Sequence, residues 1–416
     1  MSDPPAAHTD DASMHRQLDQ NQALIGRTAD WLMDQALGNA DFETMFAGCC
    51  ERLLAAGVPL WRGHITFQVL HPLYSGMGLT WQRGGAVELL NYPHSGNAQV
   101  TEAFKASPLY HMIRTGIPYL RRRLVGSETI VDFPFLAELR DQGATDYFGF
   151  LIYFGEDHLD GIVGSWATDR PSGFSDLDIQ SLLRVQKRLG VACKMLMKHQ
   201  IARNVVITYL GRNAGLRVLR GQIHRGQGER TRAVIWYCDL RGSSALADAL
   251  GPEEFISCLN NYFECAGGAV MAEGGEILNF IGDAVLAIFP IEKGKRGVRN
   301  ACKRALKASS DSQNRMARLN KKRGEEGAAP LSFGLALHLG TVVFGNIGLP
   351  ERLSFSVIGA TVNEVARLEA LTKELGRPIL ASETFAQHTT IDWETLGKHK
   401  LRGIGEPIEV MAPRRS

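Results

Sequence analysis

Ala233-Val-Ile-Trp-Tyr-Cys-Asp239-Leu-Arg-Gly-Ser-Ser244 is the stretch that decides how this chain folds. The residues before Asp239 are apolar without interruption, the pattern of a strand buried on both faces. The run ends in a carboxylate and a Gly-Ser-Ser turn. A carboxylate in that place suits a cation, and exposed backbone N–H groups of the turn suit phosphate oxygens. The same residues also fit a plain turn or helix cap. Pro252-Glu-Glu then opens a helix with Phe255, Leu259, Phe263, Ala266 and Val270 expected inward.

Downstream, Gly274-Gly-Glu-Ile-Leu-Asn-Phe-Ile-Gly-Asp283 runs into Ala284-Val-Leu-Ala-Ile-Phe289, two strand-like runs around a Gly-Asp turn. If the Asp239 strand neighbours this hairpin, Asp239 and Asp283 converge, as a two-metal phosphoryl-transfer site requires. A third element, Leu331 to Gly348, reads as another hairpin-like pair. Phe355-Ser-Val-Ile-Gly359 then leads into the helix Thr361-Val-Asn-Glu-Val-Ala-Arg-Leu-Glu369. Asn363 and Arg367 are four apart and share a helix face, where an amide and a guanidinium can grip a ribose and a phosphate. An exposed polar face is the simpler reading of that pair.

These motifs, in order from about Arg232 to Pro413, resemble a class III adenylate/guanylate cyclase. They include Leu259-Asn-x-Tyr-Phe263 and Val357-Ile-Gly-x-Thr-Val-Asn-x-x-Ala-Arg-Leu. The resemblance implies an α/β (α+β) fold whose catalytic domain is ferredoxin-like. It implies two Mg²⁺ or Mn²⁺ ions held by Asp239, Asp283 and the Leu240 carbonyl. Gly242, Ser243 and Ser244 would bind phosphate oxygens, Asn363 would position the ribose and Arg367 would stabilise the transition state. Active sites of that family form between two catalytic domains, so the implied species is a homodimer with two equivalent sites. Base selection there uses a Lys and an Asp or Thr, where this chain has Asn279 and Ser356. Both can pair with adenine or guanine. ATP is preferred over GTP because Ser is close to the Thr of some bacterial adenylate cyclases. Arg402 stands near the place of the triphosphate Lys. A guanylate cyclase and a catalytically silent nucleotide-binding regulator are the alternatives.

Working outward, 416 residues are too many for one ordinary core, so two domains are expected. A tail and helix occupy 1–40, and 41–175 reads as helix, strands, helix, strands. A helical linker covers 176–232 and the catalytic domain 233–416. The order up to Gln200, with its Phe174-Ser-Asp-x-Asp entry, resembles a GAF-like sensor, implying a small-molecule or protein signal there. Helix formation is signalled at Ser175. Leu182, Val185, Leu189, Ala192 and Leu196 form an a/d stripe that either pairs two helices or packs on its own domain. Arginines recur between 203 and 232, the pattern of a solvated connector.

A net charge of +2 gives no argument for nucleic-acid binding. Seven cysteines without a CxxC pair exclude a disulfide framework and a zinc site of that type. No apolar stretch approaches ~20 residues and no secretory h-region opens the chain, so a cytoplasmic location is expected. His64, His71, His94 and His111 are too irregularly spaced to suggest metal ligands, and Arg121-Arg-Arg123 reads as a solvated charge run.

Overall fold

Period-two patterning in the strands builds two separate antiparallel-rich sheets, one in each of two units, Met1–Val205 and Val206–Ser416. The computed structural model describes residues 8–38, 40–94, 102–155, 160–226, 228–402 and 405–414.

The first unit opens with α1 (His8–Leu37) and α2 (Phe42–Ala55). Asp41 caps α2, accepting from the Thr44 amide at 2.7 Å. Strands β1 (Arg62–Gln68), β2 (Tyr74–Gln82) and β3 (Glu88–Pro93) follow, then α3 (Glu102–Lys105), α4 (Pro108–Thr115), β4 (Tyr119–Arg123), α5 (Pro134–Asp141), β5 (Asp146–Tyr153) and β6 (Gly161–Thr168). The sheet order is β3-β2-β1-β6-β5-β4. Phe42, Met45, Phe46, Cys49 and Leu53 of α2 enter its core, as their spacing predicts.

Helix α6 (Asp176–Leu210) starts at a reciprocal capping box. The Ser175 amide donates to Asp178 Oδ2 at 2.7 Å, and the Asp178 amide donates to Ser175 Oγ at 3.2 Å. The a/d stripe from Leu182 to Leu196 lies buried in the core of the first unit. Of its two readings, packing on its own domain is the one realised. The reason is plain: the sheet offers the stripe a continuous apolar partner inside the same unit. Arg121, Arg122 and Arg123 are not simply solvated. Arg121 and Arg123 pair with the buried Asp146 at 2.8 and 3.3 Å, and Arg122 pairs with Asp132 at 2.7 Å.

The second unit runs α7 (Arg212–Leu219), β7 (Gly228–Leu240), α8 (Ser243–Ala249), α9 (Pro252–Ala272), β8 (Glu276–Ile281), β9 (Ala284–Pro290), α10 (Gly297–Glu325) and β10 (Phe333–Leu349). It closes with β11 (Arg352–Ile358), α11 (Ala360–Glu374), β12 (Ile379–Ser382), α12 (Glu383–Ala386), β13 (Trp393–His399) and β14 (Ile408–Pro413). The β7-α9-β8-β9-α10-β10 order with sheet neighbours β10-β7-β9-β8 is the ferredoxin-like arrangement. Even-numbered β7 residues (Val234, Trp236, Cys238) face α9 and α10. Ala233 and Ile235 face the side that holds α11. On α9 the buried line falls on Cys258, Tyr262, Ala266 and Val270, while Phe255, Leu259 and Phe263 sit half-buried at its margin.

The expected hairpin-like pair from Leu331 to Gly348 is instead one strand, β10, paired to β7 from Phe333 through Gly345. The hairpin lies further on, between β10 and β11. Gly340 makes no turn there. A Cβ at Gly340 would stand 2.2 Å from Thr361 Cγ2, so the glycine serves close approach of α11 to the sheet. All seven cysteines are buried and free.

Candidate active site

The site grows from one register. Asp239 stands opposite Ala284 on β9 and opposite Gly334 on β10. Asp283 immediately precedes Ala284 in the β8–β9 turn, so strand pairing alone brings the two carboxylates together. Gly282 takes the left-handed conformation (φ 65°) that this tight turn needs. Burial, then the Asp283 and Glu369 carboxylates, push the Asp239 carboxyl up to about 6, with Arg241 opposing. Burial also raises Glu369.

A crowd of negative charge at a strand end fits a divalent cation. Among the described residues no three His, Cys, Asp or Glu side chains gather as a self-sufficient metal cage. Two carboxylates with the neighbouring Leu240 carbonyl suit ions that share substrate phosphate oxygens instead. Gly242, at φ 69°, turns the chain into α8. Ser243 and Ser244 are the first residues of that helix, where amides have no intrahelical acceptor.

Helix α11 buries Thr361, Val365, Leu368, Glu369 and Thr372. Asn363 and Arg367 are exposed on the opposite side, facing away from the sheet that carries Asp239. The fold therefore brings Asp239, Leu240, Asp283 and the Gly242–Ser244 turn together, and it does not bring Asn363 and Arg367 to them within one chain. Asn279 is exposed beside a bulge in β8, and Ser356 is half-exposed on β11. Their neighbours Leu278, Phe355 and Val357 pack on one shared apolar cluster. Arg402 is exposed.

Residues 227–411 match the family model of the adenylate and guanylate cyclase catalytic domain. Most of the second unit is thus similar to a cyclase catalytic domain. The chain is 35% identical over 170 residues to an adenylate cyclase of Anabaena cylindrica, covering 40% of this chain and 32% of that protein. It is 25% identical over 252 residues to adenylate cyclase 1 of Rhizobium meliloti, covering 58% and 37%. The chain spans about a third of the length of these curated relatives. Among solved structures it is similar to the adenylyl cyclase CyaB of P. aeruginosa, with 23% identity, TM-score 0.41, 46% of this chain and 97% of that one covered.

Two features of the second unit went unread in its sequence. Arg241 Nη2 pairs with Glu369 Oε1 at 3.0 Å and also meets the Thr372 hydroxyl, tying the loop after Asp239 to α11. The signal was present: Glu369 falls in the inward stripe of α11, where a carboxylate needs a partner. Nearly buried His338 joins Glu364 of α11 at 2.9 Å and Ser382 Oγ at 2.7 Å. That bridge holds the Glu364 carboxyl below its ordinary range.

Proposed function

We propose that the chain is an adenylate cyclase, converting ATP to 3′,5′-cyclic AMP and pyrophosphate. The observation that carries this reading is the meeting of Asp239 and Asp283 at paired strand ends inside the matched domain. Asp239, Asp283 and the Leu240 carbonyl hold Mg²⁺ or Mn²⁺. Such ions, when bound, lower the pKa of the ribose 3′-hydroxyl and neutralise the triphosphate. The Ser243 and Ser244 amides receive phosphate oxygens. Asn363 orients the ribose, and Arg367 meets charge growing on the reacting phosphoryl group. Asn279 and Ser356 read the base, and Arg402 takes the triphosphate tail.

Asn363 and Arg367 point away from their own carboxylates, so the working species is a homodimer in which each α11 serves the partner's metal site. The first unit is a GAF-like sensor whose signal, a small molecule or protein, regulates turnover in the cytoplasm. Asn279 in place of a Lys favours one second reading, a guanylate cyclase.

The test is turnover of the full chain with ATP and with GTP in Mn²⁺, beside Asp283→Ala. Cyclic AMP that disappears in the variant supports the proposal. Cyclic GMP alone replaces the substrate. No product from either nucleotide leaves a silent regulator and sinks the enzyme reading.

A further inference from the structure

Helix α11 is tied to the strands beneath it on both flanks of its buried stripe. At about 100° per residue, with Thr361 as origin, Leu368, Thr372 and Val365 fall between about −20° and about +40°. Glu364 lies to one side at about −60°, and Glu369 to the other at about +80°. Asn363 and Arg367 point away from the stripe, at about −160° and about −120°, and both are exposed.

The two flanks end on different strands. Glu369 meets Arg241, just past the end of β7. Glu364 Oε2 meets His338 Nε2 of β10 at 2.9 Å. The imidazole is fixed in turn, because Nδ1 meets Ser382 Oγ of β12 at 2.7 Å, and Ser382 Oγ meets Thr384 Oγ1 at 2.9 Å. Strand pairing holds the backbone behind it: His338 sits opposite Ile235 of β7, and Leu337 opposite Ala381 of β12. The His338 hydrogen bond keeps the Glu364 carboxyl below its ordinary range, so Glu364 is ionised and accepts while Nε2–H donates.

Apolar packing along the stripe is non-directional. It fixes which face is buried more tightly than it fixes the last few degrees of roll. A bond from the middle of the stripe, such as Thr361 Oγ1 donating to the Thr341 carbonyl at 2.9 Å, runs across the direction of rolling. At a flank, rolling moves the side chain nearly along its bond to the sheet, so that bond opposes the roll directly. A charge-assisted bond shielded from water suits this task, and the side chains of His338 and Glu364 are 9% and 23% exposed. A roll of about 10° carries a group about 6 Å from the helix axis through about 1 Å. Misplacement of that size can cost about 100-fold in rate.

We infer that His338 is a positioning residue: through Glu364, and opposite Arg241, it sets the roll of α11 and so aims Asn363 and Arg367 at the reacting groups. On the cyclase reading above, on which this role rests, His338 touches no substrate and its loss acts on the chemical step.

The experiment is steady-state kinetics of the full chain in Mn²⁺, with whichever of ATP and GTP the wild type converts. It is run at a temperature where circular dichroism shows the variants folded. Glu364→Leu should lower kcat about tenfold or more and shift KM by less than about threefold, because Asp239, Asp283 and the Gly242–Ser244 turn are untouched. Glu364→Gln keeps the accepting oxygen and should recover most of that loss. His338→Leu should match Glu364→Leu, and the double variant should be no slower than the slower single, since one bridge is lost once. If His338→Leu fails to fold, the two Glu364 variants decide. The role of His338 is overturned by an unmoved kcat in Glu364→Leu, by a loss confined to KM, or by equal losses in Glu364→Gln and Glu364→Leu. Multiplied losses in the double variant overturn it too. A wild type that converts neither nucleotide removes the cyclase reading itself, and this role with it.

Discussion

Arg241, two residues beyond Asp239, is ion-paired at 3.0 Å to Glu369 on the buried side of the helix whose outer side presents Asn363 and Arg367. The Glu369 side chain is only 5% exposed, against 26% for Arg241. Removing the arginine strands a buried carboxylate, while removing both charges does not. Arg241→Ala should therefore cost about 2–4 kcal/mol of stability, and Arg241→Met with Glu369→Leu much less. Denaturant melts of the three proteins check this. Equal midpoints for wild type and Arg241→Ala would show that the pair holds nothing.

Asp239 and Asp283 make a second expectation. Manganese at about 100 times its dissociation constant should stabilise wild type by about 2.7 kcal/mol. Asp239→Asn should lose most of that gain, because one of the two converging carboxylates is gone. Thermal melts with and without Mn²⁺ measure it. A full metal response in Asp239→Asn would place the ions elsewhere.

The outward direction of Asn363 and Arg367 gives a third. Asp283→Ala and Arg367→Ala should each be inactive alone. Mixed in equal amounts and allowed to exchange, half of the dimers carry one complete site, so about a quarter of wild-type turnover should return. No recovery after demonstrated exchange would mean that each chain builds its site alone.

Gly340 gives a fourth. A methyl group there would overlap Thr361 at the start of α11. Gly340→Ala should cost about 1–3 kcal/mol and lower turnover, and Gly340→Ala with Thr361→Ser should recover part of both. Chemical denaturation and initial rates follow the two effects. A Gly340→Ala protein as stable as wild type would remove the close-approach argument.

His64 gives a fifth, concerning pH. Its folded value is lowered to about 3, whereas in the unfolded chain it titrates near 6.5. Below about 6.5 the unfolded state alone takes up the proton, so stability falls as pH drops from about 6.5 towards 3. The slope from this one group is at most about 1.4 kcal/mol per pH unit, and partial solvent access trims it. His64→Asn should flatten the slope in stability measurements made between about pH 7 and about pH 5. An unchanged slope would mean that other groups carry the acid sensitivity.

The sequence by itself determined most of the local elements and, given strand pairing, the meeting of Asp239 and Asp283. The unbroken apolar run into Asp239 has the pattern of a buried strand, and Gly282-Asp283 has that of a turn between two strands. Once those strands pair, the carboxylates must meet. Period-3.6 stripes likewise placed α2, α6 and α11, and the Ser175 box fixed where α6 begins.

Tertiary structure decided what depends on which surfaces face each other. The stripe from Leu182 to Leu196 carries the same spacing whether it meets a second helix or its own sheet, and only the fold shows the sheet beneath it. Gly340 lies within the stretch from Leu331 to Gly348 that reads in sequence as a hairpin-like pair, since glycine permits a turn. Its role in letting Thr361 approach exists only when α11 lies across β10. Tyr147 is far along the chain from Arg62 and His64, and no shared motif joins it to them. Strand register sets them on adjacent rungs, because hydrogen-bonded pairing fixes neighbours across strands without regard to their distance along the chain.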